Sequence, residues 1–382
     1  MATLTLEHLQ RTIADGQFAL ARITTTYQPG GGPGSKVYPP TFPPPTKGDP
    51  GIYLFESRAV DGDERKAVVL DQVPSQANRA EEALLRLWED GTIKMPMLRL
   101  THHGAADAVI TSLTAPHRVF DAYWRDSRLA DDEFKETEVG KSVLAAKLDD
   151  AGALLQHDPG SLVYGAWNSY RGGRGEKFPR VYSSEIVGWD PVEGSRKAGR
   201  LDPLNIVGSK AGTWSGWTYS ASGVKGEDSK LSKIGHGNIA PTKTHGGVTI
   251  SSASRFATLS LTALGRVGFG SAGRDQQLAA RTYLAALALL GDRLAFGSSG
   301  LWLRSGCDLV VLAETLEWIG RGGVVEGFEL SRNDAVDLYQ AALESAQGAG
   351  WALELTPIDL EPTRELSKAI DFSLTKAEST GE

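Results

Sequence analysis

The sequence predicts an α+β protein with one long insertion near its middle. Two periodicities and one interruption carry that reading. Segments alternating between apolar and polar residues mark strands, and stripes recurring every three to four residues mark helices. From Asp190 to Gly247 neither period holds. A stretch of that length without regular structure inside a compact domain is ordinarily functional.

The elements follow in order. "FALARITTTY", Phe18 to Tyr27, is the first clear strand. Residues 28–66 contain "QPGGGPGSKVYPPTFPPPTKGDPG", too rich in Pro and Gly for a helix or a central strand, and read as an insertion. Ala67 to Gln72 is a short strand. Pro74 to Trp88 reads as a helix, with Ser75 as its N-cap and Ala77, Ala80, Leu84 and Leu87 as its apolar stripe. "MLRLTHH" is a strand, and Ala115 to Arg125 and Val139 to Leu148 are helices. Pro116 falls in the first turn of the former, where proline is tolerated. "SLVYGAW", "RVYSSEIVGW" and "TISSASRFATLSLTAL" read as strands, then Asp275 to Leu290 as a helix. "LWLRSG" and "DLVVLAE" are strand-like, Asn333 to Ala346 is a helix, and "WALELTPI" is the last strand. No tandem repeat is present, and the expectation is one domain over residues 1–382.

Composition narrows the class. A chain of 382 residues with 41% hydrophobic residues can bury a sizeable core without disulfides or a structural metal. The single cysteine, Cys307, excludes an internal disulfide framework and fits a reducing cytosol. "MATLTLEHLQRTIADG" has no apolar core of signal-peptide type, and "YLAALALL" is far too short to span a bilayer. The expectation is a soluble cytoplasmic protein with no membrane contact. The formal net charge is -7, but it is unevenly spread. Residues 1–160 balance at -6, residues 161–304 at +9 and residues 305–382 at -10. A basic middle between acidic flanks suits either a polyanion groove or the solvated face of a long loop.

Four groups of residues carry candidate chemistry. "GFGSAG", Gly268 to Gly273, has the spacing of a dinucleotide-binding turn and is flanked by Arg266 and Arg274. No repeated βαβ pattern surrounds it, and the next acid, Asp292, follows a helix rather than a second strand. A glycine turn that lets backbone approach a phosphate fits better, as does a plain turn. A metal centre is not expected. His102 and His103 are adjacent, and His117, His157, His236, His245 and Cys307 lack ligand spacing. In "LTAPHRVFDAYWRDS", His117 and Asp121 are four apart, and Arg118 and Arg125 seven apart, so each pair shares a face of the expected helix. A His–Asp pair suits acid–base work or a helical ion pair, and two arginines on one face suit phosphate. "QANR" opens the earlier helix with Gln76, Asn78 and Arg79, which suit sugar, base edge and phosphate, or simply a solvated first turn.

Taken in order, "VPSQANRAEEAL", "LTAPHRVFDAYWRDS" and "GSLVYGAWNSYRGGRGEKFPRVYSSEIVGW" resemble the backbone subunit of type I-U (or I-G) CRISPR Cascade complexes, a Cas-seven-type member of the RAMP superfamily. The resemblance runs through about residues 67–312. It implies an RRM-like (ferredoxin-like) palm with large insertions, of which residues 190–247 are a thumb. Copies are then expected to stack along a guide crRNA that pairs with a target DNA strand, beside a five/six-type fusion subunit and a large subunit. RNA contacts are expected from Gln76, Asn78, Arg79, His117, Arg118 and Arg125, and from Arg171, Arg174 and Arg180. The thumb would add Lys210, Trp214, Trp217, Lys225, Lys230 and Lys233, and the glycine turn Gly268, Gly270 and Arg274. Such subunits are not the nuclease, so no enzymatic activity and no cofactor are expected. Related type III subunits do cut RNA with a thumb aspartate, which leaves Asp190, Asp202 and Asp228 as the alternative. An oxidoreductase built on "GFGSAG" is the remaining one.

Overall fold

A computed structural model of the chain describes residues 2–44, 46, 51–104, 106–169, 175–213, 216–222 and 226–380. Helix and strand alternate along them, and the sheets are mixed, so the α+β expectation holds. The centre is a nine-stranded sheet. Its spatial order runs Ala2–Thr3, Val325–Glu329, Cys307–Gly320, Phe18–Pro29, Ala253–Ser260, Tyr182–Trp189, Asp63–Asp71 and Phe55–Val60, with Gly300–Arg304 paired to Cys307–Gly320. Within this sheet, among the described residues, only the two-residue N-terminal strand pairs in parallel. Alternation orients each strand: Ala21, Ile23, Thr25 and Tyr27 point inward, while Arg22 between them is exposed.

Helices Val73–Glu89 and Arg274–Phe296 cover the inner face. The second is in turn flanked by Leu6–Asp15 and Arg332–Gly348. That sandwich explains "YLAALALL": every residue from Tyr283 to Leu290 is buried, because the helix meets protein on all sides. No helix among the described residues is long and apolar enough to cross a membrane. Gly291 marks the closest approach, since a Cβ there would collide with the Tyr164 hydroxyl.

A polar network is buried between this layer and the sheet. Arg255 is 0% exposed and pairs with Asp292, while its Nη2 donates to the Tyr182 hydroxyl at 2.6 Å. Arg293 donates to Asp292 at 2.9 Å and to Glu314 at 2.7 Å. Burial pushes the Asp292 carboxyl up, but Arg255 and Arg293 outweigh it and hold its pKa at about 2. Gln76 belongs to the same network. It donates to Asp71 at 2.6 Å and its amide oxygen accepts from Ser184.

Several elements depart from the expectation, each for a local reason. The helix expected over Ala115 to Arg125 is broken into a 3₁₀ turn, Arg118–Phe120, and a single turn, Ala122–Arg125. Asp121 causes the break. Its carboxylate accepts from the backbone N–H of His117 at 2.9 Å and of Tyr123 at 3.2 Å, which holds Asp121 extended and competes with helix bonding. Arg118 takes φ +51 in consequence. Residues of "SLVYG" form a helix, Pro159–Tyr164, and the strand begins only at Ala166. A short apolar run does not separate strand from helix by period alone, and Pro159 starts the helix. The helix at Val73 is preceded by Gln72 at its N-cap, not Ser75, with no side-chain cap. The last strand is Ile358–Pro362 rather than "WALELTPI", and the helices Leu6–Asp15 and Arg364–Thr380 had no counterpart in the expectation. Residues 190–247 are not structureless. Val192–Arg200 and Ile239–Thr249 form an antiparallel ribbon joined at its base by Lys36–Val37, and a hairpin, Ser209–Thr213 with Gly216–Ser220, follows further out.

Candidate nucleic-acid interface

Positive charge is presented on two parts of the molecule, a groove and the ribbon. The groove is built where the helix Pro159–Tyr164 ends. Gly165 stops that helix at φ +85, and a Cβ there would collide with the Arg180 side chain. The chain then forms a small hairpin, Ala166–Asn168 with Glu176–Phe178, in which Trp167 faces Lys177 across the strands. The Lys177 ammonium lies 5.3 Å from the Trp167 ring centroid, and Trp167 is 57% exposed. A cavity of about 540 Å³ lies between this hairpin and the Pro116–Arg118 turn, with Arg180 on its wall. A second hollow of about 500 Å³ shares Pro116, Arg118 and Arg180 and extends to Asn78.

Arg118 forms the floor rather than a free contact. Its Nε and Nη2 donate to the Glu81 carboxylate at 2.6 and 2.9 Å, and its Nη1 donates to the Gly165 carbonyl at 3.0 Å. Glu81 is 2% exposed, and burial pushes its carboxyl up to about 7 despite the Arg118 guanidinium. Asp158, also buried, is pushed up to about 6 by the same desolvation, against the Ser161 hydroxyl and Arg118. His117, Lys177 and Arg180 are exposed, and none of the three makes an ion pair among the described residues. Lys177 and Arg180 give the groove its positive rim.

Of the residues expected to meet RNA, Asn78, His117, Arg118 and Arg180 come together here. Gln76 does not, because it is fully buried in the polar network. Arg79 turns inward to Asp71 at 2.8 Å and to the Leu303 carbonyl at 2.9 Å. Arg125 pairs with its neighbour Asp126 at 2.9 Å and shares no helix face with Arg118, because the helix is broken. The glycine turn is structural. Gly268 N donates to Leu148 O at 2.8 Å, Gly270 N donates to Asp149 O at 3.0 Å, and a Cβ at Gly268 would strike the Asp149 backbone. These amides are spent within the protein, so the turn does not offer them to a phosphate or a dinucleotide, and it follows the short helix Leu261–Leu264 rather than a strand. Arg274 is exposed at the start of the long helix. Arg171, Arg174, Trp214 and Lys225 lie outside the described residues, the first two in the segment that joins the strands of the Trp167 hairpin.

On the ribbon, Arg196 and Lys197 are exposed, with Lys36 beside them donating to the Ser195 carbonyl at 3.4 Å. Lys230 and Lys233 are exposed further out. Lys210 is largely buried and donates to Gly212 O at 2.7 Å, and Trp217 rests against His236 at 5.5 Å between centroids. Lys210 is thus part of the ribbon's own packing, whereas Trp217 is exposed beside His236. Trp167, Lys177, Arg196 and Lys197 were not singled out from the sequence, although the positive balance of residues 161–304 includes the three basic ones. By contrast, basic groups on the outer face of the central sheet are already paired, Arg22 with Glu317 at 2.8 Å and Arg58 with Glu185 at 2.6 Å.

The aspartates of the alternative reading are placed as follows. Asp190 accepts from Arg65 at 2.7 Å and from Ser251 at 2.7 Å, and these bonds lower its pKa. Asp202 accepts from the backbone N–H of Leu204 and Gly237, which lowers it likewise. Asp228 is exposed. Among the described residues, no group of three or more His, Cys, Asp or Glu side chains is arranged to hold a metal ion.

Residues 21–192 match the family described as CRISPR-associated protein GSU0053. That is a little under half of the chain, and it includes every residue of the groove. No curated protein matches the chain. Over those residues the chain is similar to a CRISPR-associated protein family.

Proposed function

We propose that the chain is a guide-RNA-binding backbone subunit of a type I-U/I-G Cascade surveillance complex. The observation that carries this reading is the groove: two exposed cations, Lys177 and Arg180, an exposed histidine and an exposed tryptophan lie around one concavity, inside the segment matched by a CRISPR-associated family. Such a subunit grips backbone and leaves sequence to base pairing, so a basic path with an aromatic surface is what its task requires. The strand order supports an RRM-like palm. The strands Cys307–Gly320, Phe18–Pro29, Ala253–Ser260 and Tyr182–Trp189 neighbour one another with helices on one face, the fourth-first-third-second order of a ferredoxin-like sheet. The basic ribbon over residues 192–249 takes the place of the thumb. In this reading further copies stack along the crRNA, a target DNA strand pairs with it, and the fusion and large subunits complete the complex. The subunit itself catalyses nothing.

The test is purification of the tagged chain from cells expressing its CRISPR array and partner subunits. Guide-length RNA of array sequence should co-purify. A preparation free of RNA that also fails to bind added guide RNA would overturn the reading.

A further inference from the structure

Trp167 is an unusual residue to find standing in solvent. An indole is among the costliest surfaces to leave exposed, and it is held out on a short hairpin at the rim of a positively charged concavity. Lys177 lies over its ring at 5.3 Å, and Trp167 is still 57% exposed, which leaves indole surface for another planar group. Arg180 and His117 line the same cavity and are exposed, and Arg180 acts on buried Glu81 only through space, the Glu81 carboxylate being bonded to Arg118. The floor is fixed. Arg118 has Nε, Nη1 and Nη2 all engaged, by Glu81 and Gly165, so it shapes the groove without being available as a free anchor. The volume, about 540 Å³, lies in the range of small-ligand sites. The adjoining hollow around Asn78 gives a continuing chain a way out past the shared Arg180.

We propose that this groove seats one unpaired nucleotide of single-stranded RNA, its base stacked on the Trp167 ring and its phosphate held by Arg180 and His117. The inference rests on the RNA-binding reading above and adds a specific site to it. Stacking on an aromatic ring accepts any base, so the site reads no sequence. It discriminates instead between a strand with free bases and one whose bases are all paired.

The experiment titrates the full chain with a single-stranded RNA of guide length, an abasic strand of the same length and a fully paired duplex. It compares wild type with Trp167→Ala, Trp167→Phe and Arg180→Ala, with melting temperatures measured on the same preparations. Trp167→Ala should weaken single-stranded RNA by about 5- to 150-fold. Trp167→Phe should recover most of that loss. The abasic strand and the duplex should bind wild type and Trp167→Ala alike. Arg180→Ala should instead lower the salt slope by about one, with or without bases. Equal losses on basic and abasic strands in Trp167→Ala would overturn the stacking, and so would unaltered affinity for single-stranded RNA. Both of those outcomes leave the RNA-binding reading standing. Wild type that binds none of the strands overturns both.

Discussion

Arg118 and Arg180 border the same groove and differ in what holds them. Arg118 is bound to buried Glu81 and to a carbonyl, whereas Arg180 stands in solvent. Arg118→Ala strands a buried carboxylate and should cost about 3–5 kcal/mol of stability, read as a lower urea midpoint. Arg180→Ala should lower that midpoint far less than Arg118→Ala and should weaken RNA binding. Asp158 gives a pH prediction. Its folded pKa is about 6 against an ordinary 3.8, so the folded state keeps a proton that the unfolded chain releases between those values. Stability should therefore fall as pH rises through about 4 to 6, by roughly 3 kcal/mol from this group. Glu81, pushed up to about 7, adds a fall of the same sign at slightly higher pH, so Asp158→Asn should make that part of a stability-versus-pH curve shallower without flattening it, and an unchanged curve in urea unfolding would dismiss the assignment. Residue type alone was a weak guide here. An arginine next to a short apolar run looks the same in sequence whether its partner is phosphate or Glu81, because the partner lies 37 positions away. Gln76 misled for the same reason, since its three partners, Asp71, Ser184 and Arg255, lie on three different strands, two of them more than 100 positions away.

Among the elements, those with strong periods were legible: the strands at Phe18, Tyr182 and Ala253 and the helices at Val73, Arg274 and Arg332 all stand where alternation or a stripe placed them. The failures share a cause. Where a side chain bonds its own backbone, as Asp121 does, hydrogen bonding overrides the apolar period, and the pattern of "PHRVFDAYWRD" no longer reports the local fold. The ribbon escaped detection differently. Val192–Arg200 is mostly exposed on both faces, so it carries no hydrophobic alternation to read. Its base is nonetheless well paired, with Glu193 opposite Val248. Replacing residues 195–246 by an Asn-Gly turn should therefore leave the body folded, with a melting temperature within a few degrees of wild type. It should also weaken RNA binding and reduce its salt slope, as the loss of Arg196, Lys197 and the outer lysines requires. A truncated chain that binds guide RNA like wild type would remove the ribbon from the interface.

At the scale of the whole molecule, an acidic protein presents a basic path. The overall formal charge is -7, yet the groove and ribbon hold exposed Arg and Lys that attract a polyanion locally. RNA affinity should then fall steeply with salt, a log–log slope of several units in filter binding, and a flat response would exclude a phosphate path. The ribbon is not appended at the margin of this body. Its two strands continue Tyr182–Trp189 and Ala253–Ser260, which pair with each other near the middle of the central sheet, and Arg65, Asp190 and Ser251 clasp the joint. A ligand that steadies the ribbon therefore acts on the interior of the sheet rather than its rim. In amide hydrogen exchange, RNA held near the ribbon's tip should slow exchange in the central pair of strands, tens of residues from the contact, while the outermost strand Phe55–Val60 keeps its free rate.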